Sequence, residues 1–169
     1  MLVAASLPHG CLAGNSSDRN RDSDRVAYVE KVVDGDSLDA VVQGEKEHIR
    51  LIGIDAPELG QRPWGKTAKK DLEQIVAASG WEVRIEYDVE KRDAHDRILA
   101  YLWGRDGKLI NEEMIRSGRA VLFTIPPNVK YVGRFKAAQV IARENRLGIW
   151  GRGGLTQLPS DYRKEHPRK

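Results

Sequence analysis

Three short stretches of alternating apolar and polar residues, one amphipathic helical stretch, two more alternating stretches and then helical periodicity predict an α+β chain, a β-barrel with helices. Strands and helices in this order make a five-stranded OB-fold barrel, here with three α-helices. Turn signals at Asp34-Gly35, Gly44-Glu45 and Asp106-Gly107 punctuate the strands. The 169 residues, 40% hydrophobic and 31% charged, suit one domain with a modest core.

The first strand is read from Arg25 to Val33, where apolar residues alternate as on a half-buried strand. Leu38, Ala40 and Val42 make the second. Ile49, Leu51, Ile52 and Ile54 form a third, dense in β-branched residues and therefore central. Asp55 to Pro63 is a loop broken by Pro57, Gly60 and Pro63. Trp64 to Ala78 reads as a helix with Ala68, Leu72, Ile75 and Val76 on one face, ended by Gly80. Val83, Ile85 and Tyr87 give the fourth strand and Ile98 to Trp103 the fifth. Leu109 to Ser117 is a short helix closed by Gly118. Tyr131 to Arg146 is a longer one, closed by Gly148 and pinned by Trp150. Trp64, Trp81, Trp103 and Trp150 all fall at positions suited to packing rather than base stacking.

Both ends read as appendages to a domain spanning residues 26–150. Residues 1–14 are small, apolar and uncharged, like the end of a secretory signal that lacks its basic start. A disordered or cloned-in start fits the same residues. Export to a secreted or periplasmic location is the expectation if they are a signal remnant, and a cytoplasmic location if they are not. Residues 15–25 read as a polar linker, so 1–25 is expected to be disordered. Residues 151–169 read as a flexible basic tail. The whole formal excess of +3 falls in that tail, because the domain itself is charge-balanced. Global electrostatics therefore give no argument for nucleic-acid binding, and phosphate affinity must come from a local site or the tail. The single cysteine, Cys11, excludes an intrachain disulfide. No apolar run approaches the roughly 20 residues of a membrane-spanning helix. Nothing suggests more than a monomer.

Chemistry concentrates in Asp34-Gly35-Asp36-Ser37 and in Arg50-Leu-Ile-Gly-Ile-Asp55-Ala56-Pro57-Glu58. Asp36, Asp55 and Glu58 are hard oxygen ligands or bases, and Arg50 is a cation that cannot lose its proton at working pH. Carboxylates that gather a hard metal beside an arginine that grips an oxyanion are what phosphodiester hydrolysis needs. Arg50 lies within an apolar strand, where a permanent cation requires a partner: a carboxylate in a purely structural reading, a phosphate in a functional one. Pro57 stiffens the position of Glu58. Arg97 opens the fifth strand after the charged turn of residues 90–96. Lys91 and Arg92, in that turn, are candidates for touching a nucleic-acid backbone. His95 lies in the same turn, and the four histidines show no ligand spacing.

The segments Val32-Val-Asp-Gly-Asp-Ser-Leu38, Arg50 to Glu58, Asp96-Arg-Ile-Leu-Ala-Tyr-Leu102 and Leu147-Gly-Ile-Trp-Gly151 resemble the thermonuclease family, the staphylococcal-nuclease-like proteins. The likeness runs from about Val26 to Trp150 with the motifs in the family's order. It implies an OB-fold enzyme that uses Ca²⁺ to hydrolyse DNA and RNA, expelling the 5′-oxygen and leaving 3′-phosphate ends. By motif position Asp36 and Asp55 would hold the calcium with the backbone carbonyl of Ala56. Glu58 would be the general base, with Arg50 and Arg97 as phosphate clamps. Two aspartates and one carbonyl are fewer than the 6–8 oxygens calcium takes, so water and substrate must fill the rest. The stretch where the family's nucleotide-capping tyrosines fall is Phe123-Thr-Ile-Pro-Pro127, with Phe123 its only aromatic residue. The lysine-tyrosine pair before the second arginine is Ala94-His95 here. The competing reading is a catalytically inactive OB-fold module that binds nucleic acid or protein. It predicts erosion of the five site positions, and all five are intact.

Overall fold

The structure, a computed structural model, describes residues 25–167. The expected leader and most of the linker therefore lie outside the described residues. Five strands close a barrel in the order β1-β2-β3-β6-β5: β1 (Arg25–Val32), β2 (Ser37–Val42), β3 (Glu45–Leu51), β5 (Glu82–Glu86) and β6 (Ile98–Trp103). All neighbours run antiparallel except β3 and β6, which pair parallel through Ile49↔Ile98, Arg50↔Leu99 and Leu51↔Ala100. A register shift between Val29 and Lys31 bends β1, as a bulge does in a closing barrel. Alternate residues point inward and are fully buried, among them Ala27, Leu38, Ala40, Ile49, Leu51, Ile85, Ala100 and Leu102.

The predicted third strand is two strands. Gly53 takes φ +79°, and a Cβ there would collide with the Phe135 ring. The chain therefore breaks after Leu51 and resumes as β4 (Ile54–Asp55), which pairs with β7 (Val121–Leu122). This two-stranded ladder carries no sequence period long enough to read.

Helix α1 (Trp64–Ala78) has the bounds its pattern predicts and buries Ala68, Leu72 and Val76. Gly80, at φ +69°, turns the chain out of it, with its N–H on the Ala77 carbonyl. Leu72 is fully buried, so truncating it to Ala costs about 2–5 kcal/mol. Helices α2 (Ile110–Arg116) and α3 (Val132–Glu144) are one to two residues shorter at each end than predicted, within ordinary fraying. Asn111 is fully buried and ties α2 to the barrel: it accepts the Leu102 N–H and donates to the carbonyls of Ile52 and Ala100.

A fourth helix, α4 (Pro159–Glu165), corrects both the count of three helices and the reading of residues 151–169 as a flexible tail. Its sequence is too short and too polar to show a buried stripe, and its docking residues lie far away in the chain. One tryptophan also departs from the expected packing, while Trp103 meets it from the barrel wall. Trp81 is 41% exposed. Trp103 lies half-buried on the barrel wall between the guanidiniums of Arg84 and Arg134, its indole N–H on Glu86. Among the described residues no helix is long and apolar enough to cross a membrane.

Candidate active site

The strand registers bring the motif residues together. Asp36 immediately precedes β2, whose Ser37 pairs with Arg50 near the end of β3. Arg97 immediately precedes β6, which runs beside β3. Asp55 is fixed by the β4–β7 ladder, and Phe123 follows β7 with its N–H on the Gly53 carbonyl. A cleft of about 670 Å³ opens here, and Asp36, Arg50, Glu58, Arg97 and Phe123 all line it.

Arg50 is the hub. Its Nη1 donates to the Leu51 carbonyl at 2.5 Å and its Nη2 to the Ile54 carbonyl at 2.9 Å. These bonds lock the guanidinium across the break between β3 and β4. The same Nη2 lies 3.2 Å from Asp36 Oδ2 and 3.5 Å from Asp55 Oδ1, so both carboxylates converge on one nitrogen. Arg50 is thus ion-paired and also lines the cleft. Asp36 Oδ2 also accepts the Ala56 N–H at 2.6 Å, joining the two motifs directly. Burial pushes the Asp36 carboxyl up to about 7; Arg50 and the Ala56 N–H pull it down, while Asp34 and Asp55 push it further up. Asp34 is the turn residue its position suggests, accepting from the Asp36 N–H and the Ser37 hydroxyl. Gly35 is required for space: a Cβ there would lie 2.6 Å from the Ala56 methyl and 2.7 Å from that of Ala68.

Glu58 and Asp55 share a partner the sequence did not reveal. Arg163 of α4 forks onto Asp55, Nη1 to Oδ1 at 2.8 Å and Nη2 to Oδ2 at 3.0 Å, and Nη1 also donates to Glu58 Oε1 at 3.0 Å. The hydrogen bonds to Asp55, ahead of those to Glu58, hold Arg163 even more firmly protonated than an ordinary arginine. The available signals were Pro159 at the helix start, Asp161 in the first turn and Arg163-Lys164 in the last, a helix-terminus pattern without hydrophobic periodicity.

Arg97 is oriented by Asp93, another residue the sequence reading passed over. Asp93 Oδ2 takes Nε at 2.8 Å and Nη2 at 2.7 Å, while Oδ1 accepts the backbone N–H of Arg97 and of His95. Burial raises the Asp93 carboxyl, but these hydrogen bonds outweigh it and hold it below the usual carboxylate range.

Lys91 and Arg92 do not line the cleft. Arg92 turns to Glu47, with Nη1 on Oε2 at 2.9 Å, and to Asp96; the Lys91 ammonium lies 5.4 Å over the Tyr87 ring. Both stand exposed outside the cleft wall, Arg92 beside carboxylates and Lys91 over a ring. Phe123 does line the cleft, joined by Ile125, which is 61% exposed, and by His48 and His95.

Among the described residues no three His, Cys, Asp or Glu side chains form a metal-holding group. The donors the motifs suggest, two aspartates and the Ala56 carbonyl, include only two such side chains, both beside Arg50. Their chemistry still fits a hard divalent cation. The donors are all oxygen, the ligand type a hard divalent cation takes, and the two carboxylates lie close enough together to share one guanidinium nitrogen.

Comparison with known proteins agrees with the geometry. The family pattern described as staphylococcal nuclease homologue matches residues 48–152. A thermonuclease of Staphylococcus intermedius is 36% identical over 129 residues, covering 73% of this chain and 75% of that protein. The thermonuclease of Staphylococcus hyicus is 32% identical over 126 residues, 71% of this chain and 72% of that protein. Endonuclease YncB of Bacillus subtilis is 28% identical over 149 residues, 84% of this chain and 69% of that protein. With a five-stranded barrel and its motif residues gathered at one cleft, this thermonuclease-like chain belongs to the staphylococcal nuclease family.

Proposed function

We propose that the chain is a Ca²⁺-dependent nuclease that hydrolyses phosphodiester bonds of DNA and RNA with little sequence preference and leaves 3′-phosphate ends. The observation that carries the reading is the convergence of Asp36 and Asp55 on Arg50, at a cleft that Glu58 and Arg97 also line. Homology to proteins named thermonuclease and endonuclease supports the same reaction class.

A phosphodiester resists attack because its negative charge repels a nucleophile. Asp36, Asp55 and the Ala56 carbonyl would hold Ca²⁺, which would supply charge neutralisation and alignment of the phosphate group. Glu58 takes a proton from the attacking water once it stands within about 2.6–3.2 Å of it. Arg50 and Arg97 bind the non-bridging oxygens, where their forked donors gain most as charge builds in the five-coordinate transition state. Asp93 fixes the direction of the Arg97 fork, and the Leu51 and Ile54 carbonyls fix that of Arg50. None of these groups reads a base edge, so low specificity follows. Phe123 and Ile125 offer an apolar wall for a base in an open cleft, which favours single strands.

The test is cleavage of plasmid DNA and of RNA by the purified chain with Ca²⁺ and then with EDTA, followed by end-group analysis. Ca²⁺-supported cleavage that stops with EDTA and yields 3′-phosphates is the expected result. EDTA-insensitive cleavage, or 5′-phosphate ends, would overturn the reading.

A further inference from the structure

We propose that α4 is an autoinhibitory latch, in which Arg163 holds Asp55 and Glu58 in place of the divalent cation, so that metal binding and α4 docking exclude one another. The inference rests on the nuclease reading above and concerns the regulation of that same site.

Both Asp55 oxygens are engaged by the Arg163 fork, and one of its nitrogens also reaches Glu58. The Asp55 side chain is 1% exposed and so shielded from water, while the Arg163 side chain is 36% exposed and lines the cleft. A divalent ion taking an Asp55 oxygen at about 2.3–2.6 Å would lie within a few ångströms of a guanidinium bonded to the same carboxylate. Two cations that close on a desolvated carboxylate repel strongly, and one must leave. Of the two arginines on Asp55, Arg50 is anchored by backbone carbonyls at both of its ends. Arg163 is held instead by the carboxylates of Asp55 and Glu58, and it rides on a helix of seven residues, too short to persist undocked.

The rest of α4 is keyed to the loop that carries Glu58. Gln61 accepts the Glu58 N–H and donates to the Gln157 carbonyl, linking the base's loop to the segment before α4. A Cβ on residue 60 would lie 2.3 Å from the Tyr162 hydroxyl, an approach that Gly60 leaves open. The docked state thus neutralises a metal ligand and occupies the proposed base at the same time. Release of α4 frees both. The apparent metal affinity is then lowered by the fraction of molecules in which α4 is docked.

The experiment measures Ca²⁺ affinity of the full metal-free chain by calorimetry, for the wild type, Arg163→Gln and Tyr162→Ala. Thermal melts check that each variant folds, and hydrogen exchange follows residues 159–165. Arg163→Gln should tighten Ca²⁺ binding about 10- to 100-fold, since the competitor is gone. Tyr162→Ala, which leaves every charge of the site in place, should shift it the same way by a smaller factor. In the wild type, saturating Ca²⁺ should accelerate amide exchange in α4. Unchanged or weaker Ca²⁺ binding in both variants, with the wild type still binding and cleaving, would overturn the latch and leave the nuclease reading standing. Loss of cleavage in Arg163→Gln without tighter metal binding would equally overturn it, making Arg163 a substrate clamp. If no form binds Ca²⁺ or cleaves, the nuclease reading itself fails and the latch with it.

Discussion

Asp93 grips Arg97 from both ends of its carboxylate: Oδ2 takes the side-chain Nε at 2.8 Å, and Oδ1 takes the backbone N–H of the same residue at 3.0 Å. The guanidinium is thereby held in one rotamer at the cleft wall before any phosphate arrives. A pre-oriented cation loses little entropy on binding, which is where its catalytic advantage lies. Asp93→Asn keeps the backbone hydrogen bond but weakens the ionic one. It should lower kcat/KM by about tenfold while Arg97→Lys lowers it by at least about 10²-fold, on the scale of losing one oxyanion donor. Steady-state kinetics on a defined oligonucleotide measure both. A loss under threefold for Arg97→Lys would make that arginine merely structural.

The raised carboxyl of Asp36 gives the metal-free chain a pH dependence with a definite sign. The folded group titrates near 7 and the unfolded one near 3.8. Below both values the proton is bound in either state and the group contributes nothing. Between them the unfolded state ionises first, so stability falls as pH rises from about 4 to 7 and then levels. Asp36→Asn should therefore melt at a higher temperature than wild type at pH 8 in EDTA, and not at pH 4. Metal binding needs the ionised carboxylate, so apparent Ca²⁺ affinity should climb about tenfold per pH unit below 7 and flatten above it. Melts with and without Ca²⁺ across pH 5 to 8 report both trends. A Ca²⁺-induced rise in Tm that ignores pH would remove Asp36 from the ligand set.

Glu58→Gln tests the proposed base. The amide can still accept a hydrogen bond from Arg163, so the loop keeps its place, but it cannot take a proton from water. Nucleotide affinity should stay near wild type while kcat falls by about 10²–10⁴-fold. Binding of a nucleotide followed by fluorescence or calorimetry, beside single-turnover cleavage, separates the two. A kcat close to wild type would exclude Glu58 from the proton transfer.

Sequence legibility follows the range of the interactions. Helix α1 could be read with both ends because its buried face repeats through Ala68, Leu72 and Val76 and a left-handed glycine stops it. Asp36, Arg50 and Asp55 could be read as one site because they lie on consecutive short elements, where registry brings near neighbours together. The split of β3 from β4 could not, because it depends on the Phe135 ring packed against Gly53 from a distant helix. Arg163 was missed for the same reason: its partners lie more than a hundred residues earlier in the chain, and a seven-residue polar helix leaves no hydrophobic period. Lys91 and Arg92 could be named as charges of one turn, but their partners could not: Glu47 lies 45 residues from Arg92, and the Tyr87 ring carries no charge to mark it.

Gly35 links the packing to the chemistry most directly. Its missing side chain lets the Asp36 turn nest against Ala56 and Ala68, and a Cβ would lie 2.6 Å and 2.7 Å from their methyls. Both methyls are one bond from backbone, so neither can swing aside, and relief must come from moving the chain. The partner that yields is the loop after β4, residues 56–58, because Ala68 is buried mid-helix in α1 and Asp55 is held by the β4–β7 ladder. Moving that loop breaks the 2.6 Å bond from the Ala56 N–H to Asp36 and shifts the Ala56 carbonyl and Glu58 relative to the two aspartates. Gly35→Ala should therefore destabilise by about 1–3 kcal/mol, the usual cost of overpacking. It should also weaken Ca²⁺ binding by more than that stability loss explains at a temperature where the variant is fully folded. Adding Ala56→Gly removes the nearer methyl and should recover part of both losses. Denaturant melts give the first quantity and calorimetric Ca²⁺ titration the second. A variant that loses stability but binds Ca²⁺ like wild type would show that the turn and the loop are not coupled at the metal.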